Sequence, residues 1–232
     1  HYDYDGYQDV IVQYDPIRGE GAEFASNADG ITNEGFEMEF VYVVNDRLSL
    51  SGNMSYTVTE YGEDYWVLTT DDPMNPPQIF GDFTQGVVGN AATGTDVNGD
   101  GVIDASDFPY ATNVKGNSLK GIPKDKYTLR AVYELESRWG PIWLWLNHSY
   151  TGDFSASGIE RALDRVPARD TTNFSASWWS DDGRTSIRAA VNNLMDNDQV
   201  YSISTTTSGD NYSKYGGALS PRTMYVDVRY RF

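Results

Sequence analysis

The 232 residues carry 34 acidic against 17 basic side chains, a formal charge of −17, with 22 Gly, 14% aromatic residues and no Cys. That charge excludes a phosphate-backbone partner, because nucleic-acid affinity comes mainly from Lys and Arg neutralising phosphates; no nucleic acid is expected. The missing Cys removes disulfides, thiolate metal sites and a cysteine nucleophile, while the Gly and aromatic content leans toward strands and turns.

No run of about 18 apolar residues is present, so no transmembrane helix is expected. A mean hydropathy of −0.53 does not exclude a barrel, whose membrane strands need only about 9–11 residues, half of them polar. The sequence opens on His1 without an initiating Met, and its natural N-terminus is expected upstream.

In chain order, Tyr2, Tyr4, Val10, Val12 and Tyr14 predict a strand over 1–14, with a possible bulge near Gly6. Residues 15–33, with Pro16 and several Gly, read as a loop. The clearest alternation follows: Phe36, Met38, Phe40, Tyr42 and Val44, a tight turn at Asn45-Asp46, then Leu48, Leu50, Met54, Tyr56 and Val58 against small polar partners. The second strand of this hairpin is about the length a tilted membrane strand needs.

Residues 61–125 show no sustained periodicity, a connection far beyond the usual ~4–6 residues and of a kind that is commonly functional. Tyr127 to Leu135 and Ile142 to Tyr150 form a second hairpin around 137–140. Phe174 to Trp178 and Ile187 to Val191 form a third around Ser180-Asp181-Asp182-Gly183. Long loops at 151–170 and 197–220 separate these, and Pro221 to Phe232 closes the list with Met224, Val226, Val228 and Tyr230 on one face and Tyr225, Asp227, Arg229 and Arg231 on the other.

The result is an all-β chain of about eight antiparallel strands whose connections alternate between short turns and long loops, the asymmetry of an outer-membrane barrel with periplasmic turns and extracellular loops. Tyr14, Tyr56, Tyr61, Tyr150, Trp178 and Tyr230 are expected as interfacial girdles. Glu37, Glu39, Arg130, Glu134, Arg188, Asp227, Arg229 and Arg231 are expected on the lumen side. The alternative class is a secreted, calcium-stabilised β-sandwich that binds glycans.

Several segments together resemble the C-terminal part of the barrel of a TonB-dependent outer-membrane receptor. Asn33 to Phe40 followed by Asn45 to Leu50 looks like that family's Gly-hydrophobic-Glu hairpin. Gly121-Ile122-Pro123-Lys124 looks like its loop-to-strand entry, Asn193-Leu194-Met195-Asp196-Asn197 like its Asn-Leu-hydrophobic-Asp segment, and Pro221 to Phe232 like its terminal strand. The resemblance implies a barrel of about 22 strands, of which this chain supplies the C-terminal third, and a lumen plug and TonB-contacting segment that are not recognisable in these residues. It further implies outer-membrane lipid around the barrel, a siderophore, vitamin or oligosaccharide as ligand, and reading of Tyr230 and Phe232 by the barrel-assembly machinery.

Within the long loop, Asp96-Val97-Asn98-Gly99-Asp100-Gly101-Val102-Ile103-Asp104-Ala105-Ser106-Asp107 sets oxygens at calcium-loop positions 1, 3, 5, 9 and 12, with Gly at 6. The expected Ca²⁺ ligands are Asp96, Asn98, Asp100, the Val102 carbonyl, Asp104 and Asp107. Asp at position 12 is similar to dockerin-type loops and points to weak extracellular affinity, about 10⁻⁴–10⁻³ M. Ca²⁺ is read as structural, tying down the 62–125 loop.

The loop aromatics Tyr65, Trp66, Tyr110, Tyr201, Tyr212 and Tyr215 are candidates for stacking on a ligand. No catalytic residue is assigned. His148 and Ser149 are adjacent, so they point to opposite faces of one strand and cannot form a nucleophile–base pair.

Overall fold

The computed structural model describes residues 2–4, 6–15, 20–68, 87–88, 91–92, 111–205 and 213–232. One antiparallel sheet of eight strands organises them: β1 (Tyr2–Tyr4), β2 (Ile31–Asn45), β3 (Leu48–Tyr61), β4 (Asp125–Leu135), β5 (Ile142–Thr151), β6 (Arg169–Trp179), β7 (Thr185–Asn192) and β8 (Thr223–Tyr230). Strands neighbour one another in strict chain order, with β1 and β8 at the two edges. Short turns join β2–β3, β4–β5 and β6–β7, and long connections emerge at the opposite end, as the turn and loop spacing predicts.

The turns form where the sequence supplies their chemistry. Asn45 Oδ1 accepts the backbone N–H groups of Arg47 and Leu48 at 2.9 and 3.0 Å, an Asx turn that closes the first hairpin. In the third, Ser180 Oγ donates to Asp182 Oδ1 at 2.6 Å, Asp182 Oδ1 accepts from Arg184 N at 3.0 Å, and Gly183 takes the left-handed φ of 67° that the turn requires.

Register sorts the side chains into two unlike faces. Phe36 lies opposite Tyr56, Met38 opposite Met54, Tyr127 opposite Tyr150, Leu146 opposite Phe174, and Val191 opposite Met224. On the other face Glu39 meets Asn53, Arg130 meets Asn147, Asn147 meets Asn173, and Arg188 meets Asp227. Among the described residues the apolar face has no opposing layer: Met224 and Val226 are each 68% exposed, and Phe36, Tyr42, Leu129 and Leu146 are exposed too. A belt of this extent is far larger than a water-soluble surface tolerates and fits a hydrocarbon environment. A sandwich would need a second sheet packed on this face, so the glycan-binding sandwich is not supported.

The buried cluster of Ala28, Ile31, Tyr61, Tyr65, Val114 and Leu119 sits at the long-loop end of the sheet, where Ile31 and Tyr61 are the last pair of β2 and β3. Two sequence expectations are corrected here. The first strand, expected over 1–14, stops at Tyr4; Gly6, at φ 72°, redirects the chain into a separate hairpin of Tyr7–Asp15 with Glu20–Ala28, the latter strand standing where a loop over 15–33 was expected. Tyr61 is part of the buried cluster and takes no place in an interfacial girdle. Tyr56 and Tyr150 do lie on the apolar face, stacked on Phe36 and Tyr127 at 5.9 and 5.0 Å.

Candidate functional site

The polar face of the sheet is the candidate site. It is built by the even residues of β4 and β7 and the odd residues of β5, β6 and β8, a parity fixed by the period of two along each strand. Its middle is a ladder of Asn and Ser, including Asn147, Asn173, Ser175 and Asn192, around an open concavity of about 700 Å³. Toward the short turns it turns aromatic. Trp143 and Trp145 stack at 6.4 Å with an interplanar angle of 22°, and Trp145 meets the edge of Trp179 at 6.4 Å and 79°. These tryptophans share a face with Glu134 and Ser177, and Trp143 and Trp145 alternate with Ile142, Leu144 and Leu146, which could have been read from sequence alone.

Charge is segregated along the wall. Glu37 and Glu39 stand on β2, whereas Arg130, Arg188 and Arg229 stand on β4, β7 and β8. Asp227 lies between the last two and accepts from Arg229 Nε at 2.9 Å. The adjacent His148 and Ser149 point to opposite faces, as the period of two along the strand requires. His148 lies on the apolar face, its Nδ1 2.9 Å from Thr172 Oγ1, and Ser149 on the polar face bonds Thr128 Oγ1 at 3.3 Å.

The described parts of the long connections are bonded to one another. Asn117 Nδ2 donates to Gly158 O at 2.8 Å, Ser118 N to Glu160 Oε1 at 2.8 Å, and Gly121 N to Ser155 O at 2.8 Å, joining the loop after β3 to the loop after β5. The next loop is joined through Asp164, whose side chain is 3% exposed: Oδ2 accepts from Arg161 Nε at 2.6 Å and Oδ1 from Lys214 Nζ at 2.5 Å. Burial alone would raise the Asp164 carboxyl, but the hydrogen bonds and charges of Arg161 and Lys214 hold it below its ordinary value. The hairpin after β1 is tied down by Asp9, which accepts from Lys120 Nζ at 2.5 Å and from the Tyr61 hydroxyl at 3.3 Å.

Asn193 explains the Asn-Leu-hydrophobic-Asp segment. At φ 50°, a left-handed backbone that Asn tolerates, its buried side chain donates through Nδ2 to Asn197 O and Ser220 O at 2.7 and 2.9 Å and accepts Asn197 N at 3.0 Å. Asn197 Nδ2 in turn reaches Asp170 O at 2.9 Å, so the loop between β7 and β8 is stitched to β6. The Asp9–Lys120, Asp9–Tyr61 and Asp164–Lys214 contacts have no pattern in the sequence, because each joins residues far apart in the chain.

The residues expected to hold Ca²⁺, Asp96, Asn98, Asp100, Val102, Asp104 and Asp107, lie outside the described residues, as do Tyr110 and Tyr212. Tyr65 was expected as an exposed loop aromatic; it is 1% exposed and stacks on Tyr61 at 5.6 Å, so its ring packs the loop. Trp66 begins a short strand paired to Ala111–Asn113. Tyr201 and Tyr215 stand exposed on the hairpin of Val200–Thr205 and Lys214–Ala218. Tyr230 and Phe232 are exposed at the short-turn rim, rings 5.1 Å apart and edge to face.

Comparison with known proteins agrees with this architecture. Residues 1–194 match the family model described as TonB dependent receptor-like, beta-barrel. No curated protein sequence matches. Among solved structures, the chain is similar to the ferric yersiniabactin uptake receptor FyuA from Yersinia pestis, with a TM-score of 0.60 and 17% identity over 90% of this chain and 25% of that one. It is also similar to the siderophore receptor PiuA from Acinetobacter baumannii (TM-score 0.57, 15% identity, 95% of this chain and 24% of that one) and to BauA, the ferric preacinetobactin receptor of the same organism (0.55, 13%, 96% and 25%). The chain thus spans about a quarter of the length of these receptors. Its partial barrel, lipid-type outer belt and polar inner wall place it in the Gram-negative outer membrane, and the chain belongs to the TonB-dependent receptor β-barrel family.

Proposed function

We propose that the protein to which this chain contributes barrel wall imports a scarce nutrient, a siderophore, vitamin or oligosaccharide, across the outer membrane in a TonB-dependent manner. The observation that carries this reading is the pairing of an exposed apolar belt with a hydrated inner wall on one continuous sheet, in a chain of the TonB-dependent receptor family. Similar structures are named as siderophore receptors, which supports the siderophore among these classes. Import would be driven through TonB acting on a plug, with outer-membrane lipid against the belt and the barrel-assembly machinery reading Tyr230 and Phe232. The protein acts in this reading as a transporter and not as an enzyme.

The 96–107 segment is proposed to bind one structural Ca²⁺ through the six residues named above, the oxygen-rich spacing being the support. Tyr201 and Tyr215, exposed on a loop hairpin at the mouth, are proposed to stack on the incoming ligand, with Trp66, Tyr110 and Tyr212 as further candidates.

The test is uptake by cells expressing the complete gene, using a radiolabelled ferric catecholate, cobalamin and a maltodextrin as probes. Uptake of one probe should disappear on gene deletion and on collapse of the proton-motive force, while surface binding persists. Uptake of all three unaffected by deletion, or insensitive to de-energisation, would overturn the reading.

A further inference from the structure

At the short-turn end, the strand pair β7–β8 gathers arginines that the import reading does not use. Arg184 leads into β7 and Arg231 follows β8, and Arg231 N donates to Arg184 O at 2.9 Å, which extends the ladder of Thr185–Tyr230 and Ser186–Arg229 by one pair. Arg184 and Arg231 therefore stand directly opposite each other, about 5.5 Å apart at Cα. Arg229 is two residues away on the same face of β8, about 7 Å from Arg231. Like charges set directly opposite across a strand pair destabilise it. Among the described residues neither Arg184 nor Arg231 has a carboxylate oxygen within 4.0 Å, while Arg229 meets Asp227 through Nε at 2.9 Å. Asp182, two residues before Arg184, has Oδ1 occupied by the Ser180 hydroxyl and the Arg184 backbone N–H at 2.6 and 3.0 Å. A concavity of about 720 Å³ takes in all three arginines with Trp179 and Ser186, and no acid lines it. In a chain of net charge −17 this is a local reversal of sign.

We propose that this concavity binds a phosphoryl group, with the guanidinium forks of Arg184 and Arg231 on its oxygens, Arg229 adding to the positive wall and the Ser186 hydroxyl beside it. Guanidinium matches phosphate through two parallel N–H···O bonds and a charge it does not lose. An anion between Arg184 and Arg231 converts their mutual repulsion into two attractions. The register already holds both at adjoining positions, so one phosphoryl group spans them. Two sources carry this group at the short-turn rim, a phospholipid headgroup and a soluble phosphate. Tyr230 and Phe232, exposed at the same end of β8 on the belt face, set the site at the depth of headgroups. The site goes beyond the import reading and does not depend on it.

The test separates the two sources. The complete gene product, purified in a neutral detergent, is titrated calorimetrically with inorganic phosphate, with acetate and chloride at matched ionic strength as references. The same preparation is followed by native mass spectrometry after addition of phosphatidylglycerol or phosphatidylcholine. The expected result is saturable phosphate binding at millimolar concentration or below, about tenfold or more tighter than acetate, or retention of phosphatidylglycerol over phosphatidylcholine. Either signal carries the site: lipid retention assigns the headgroup as its source, and phosphate binding alone assigns the soluble anion. Arg184→Gln and Arg231→Gln should each weaken the signal about tenfold or more. Arg138→Gln removes an arginine at the same rim that lies over the Trp139 ring at 4.0 Å and does not line the concavity, and it should leave the signal unchanged. Absence of both signals, wild-type binding by Arg184→Gln, or an equal loss in Arg138→Gln overturns the site. Arg184 is exposed in a turn outside the terminal strand, so its variant decides the matter even where Arg231→Gln does not assemble. No transport is measured, so failure removes this site and leaves the import reading standing.

Discussion

Replacing Asn193 by Ala tests whether the loop between β7 and β8 is held by one side chain. The substitution removes three hydrogen bonds, from Nδ2 to Asn197 O and Ser220 O and from Asn197 N to Oδ1, at 2.7, 2.9 and 3.0 Å. At roughly 0.5–1.5 kcal/mol net for each, that is about 1.5–4.5 kcal/mol, at the upper end because residue 193 is 5% exposed and stranded partners would have little access to water. Alanine at φ 50° adds about 1 kcal/mol of backbone strain that Asn tolerates better. The expected total is about 3–5 kcal/mol. Asn193→Gly loses the same bonds without that strain and should sit about 1 kcal/mol above Asn193→Ala. Urea unfolding of the complete receptor in micelles, followed by tryptophan fluorescence, measures both. A loss within about 0.5 kcal/mol of wild type, the scale of an ordinary surface change, would show that the clamp does not hold the loop and refute the reasoning.

Asp164→Asn, or Lys214→Ala, should uncouple the loop after β5 from the hairpin of Val200–Thr205 and Lys214–Ala218, because breaking a buried pair costs about 3–5 kcal/mol. Since the folded Asp164 carboxyl lies below its ordinary value, its contribution is present above the unfolded value of about 3.9 and is lost as pH falls through the lower folded value. With no native Cys, spin labels at Leu163 and Ser204 can read this: the distance distribution should broaden in strongly acidic buffer for wild type and already at neutral pH for Asp164→Asn, and identical narrow distributions throughout would count against the latch. Gly35→Ala should cost about 1–3 kcal/mol, because its Cβ would collide with the Tyr56 carbonyl and lie 3.1 Å from Thr57 Cα, backbone that the register of β2 and β3 holds in place. Gly183→Ala, at φ 67° with open space around it, should cost only about 1 kcal/mol; equal losses of the heat-resistant folded band would undo the contrast. Calorimetry on the complete protein should show millimolar or tighter Ca²⁺ uptake that Asp96→Ala and Asp107→Ala abolish, and no uptake would remove the metal from the 96–107 segment.

The sequence alone determined the sheet. A period of two, small polar partners opposite apolar residues, and the alternation of Asn-Asp or Ser-Asp-Asp-Gly turns with long loops specify β2 to β8, their order and which face meets lipid, because strand parity and turn chemistry are local properties. The loops were not legible in the same way. One strand was expected over 1–14 and a loop where Glu20–Ala28 pairs with Tyr7–Asp15, since the break at Gly6 and the pairing depend on a left-handed turn and on the burial of Asp9 beneath Tyr61 and Lys120. Tyr65 passed for an exposed aromatic because nothing in its neighbours reveals that Tyr61, Val114 and Leu119 close over it. Likewise the guanidiniums of Arg130, Arg188 and Arg229 are scattered through the chain as three lumenal charges. They line one concavity only when β4 to β8 are assembled in order in the sheet, since charge gathering across strands is a property of the sheet's register and not of any segment.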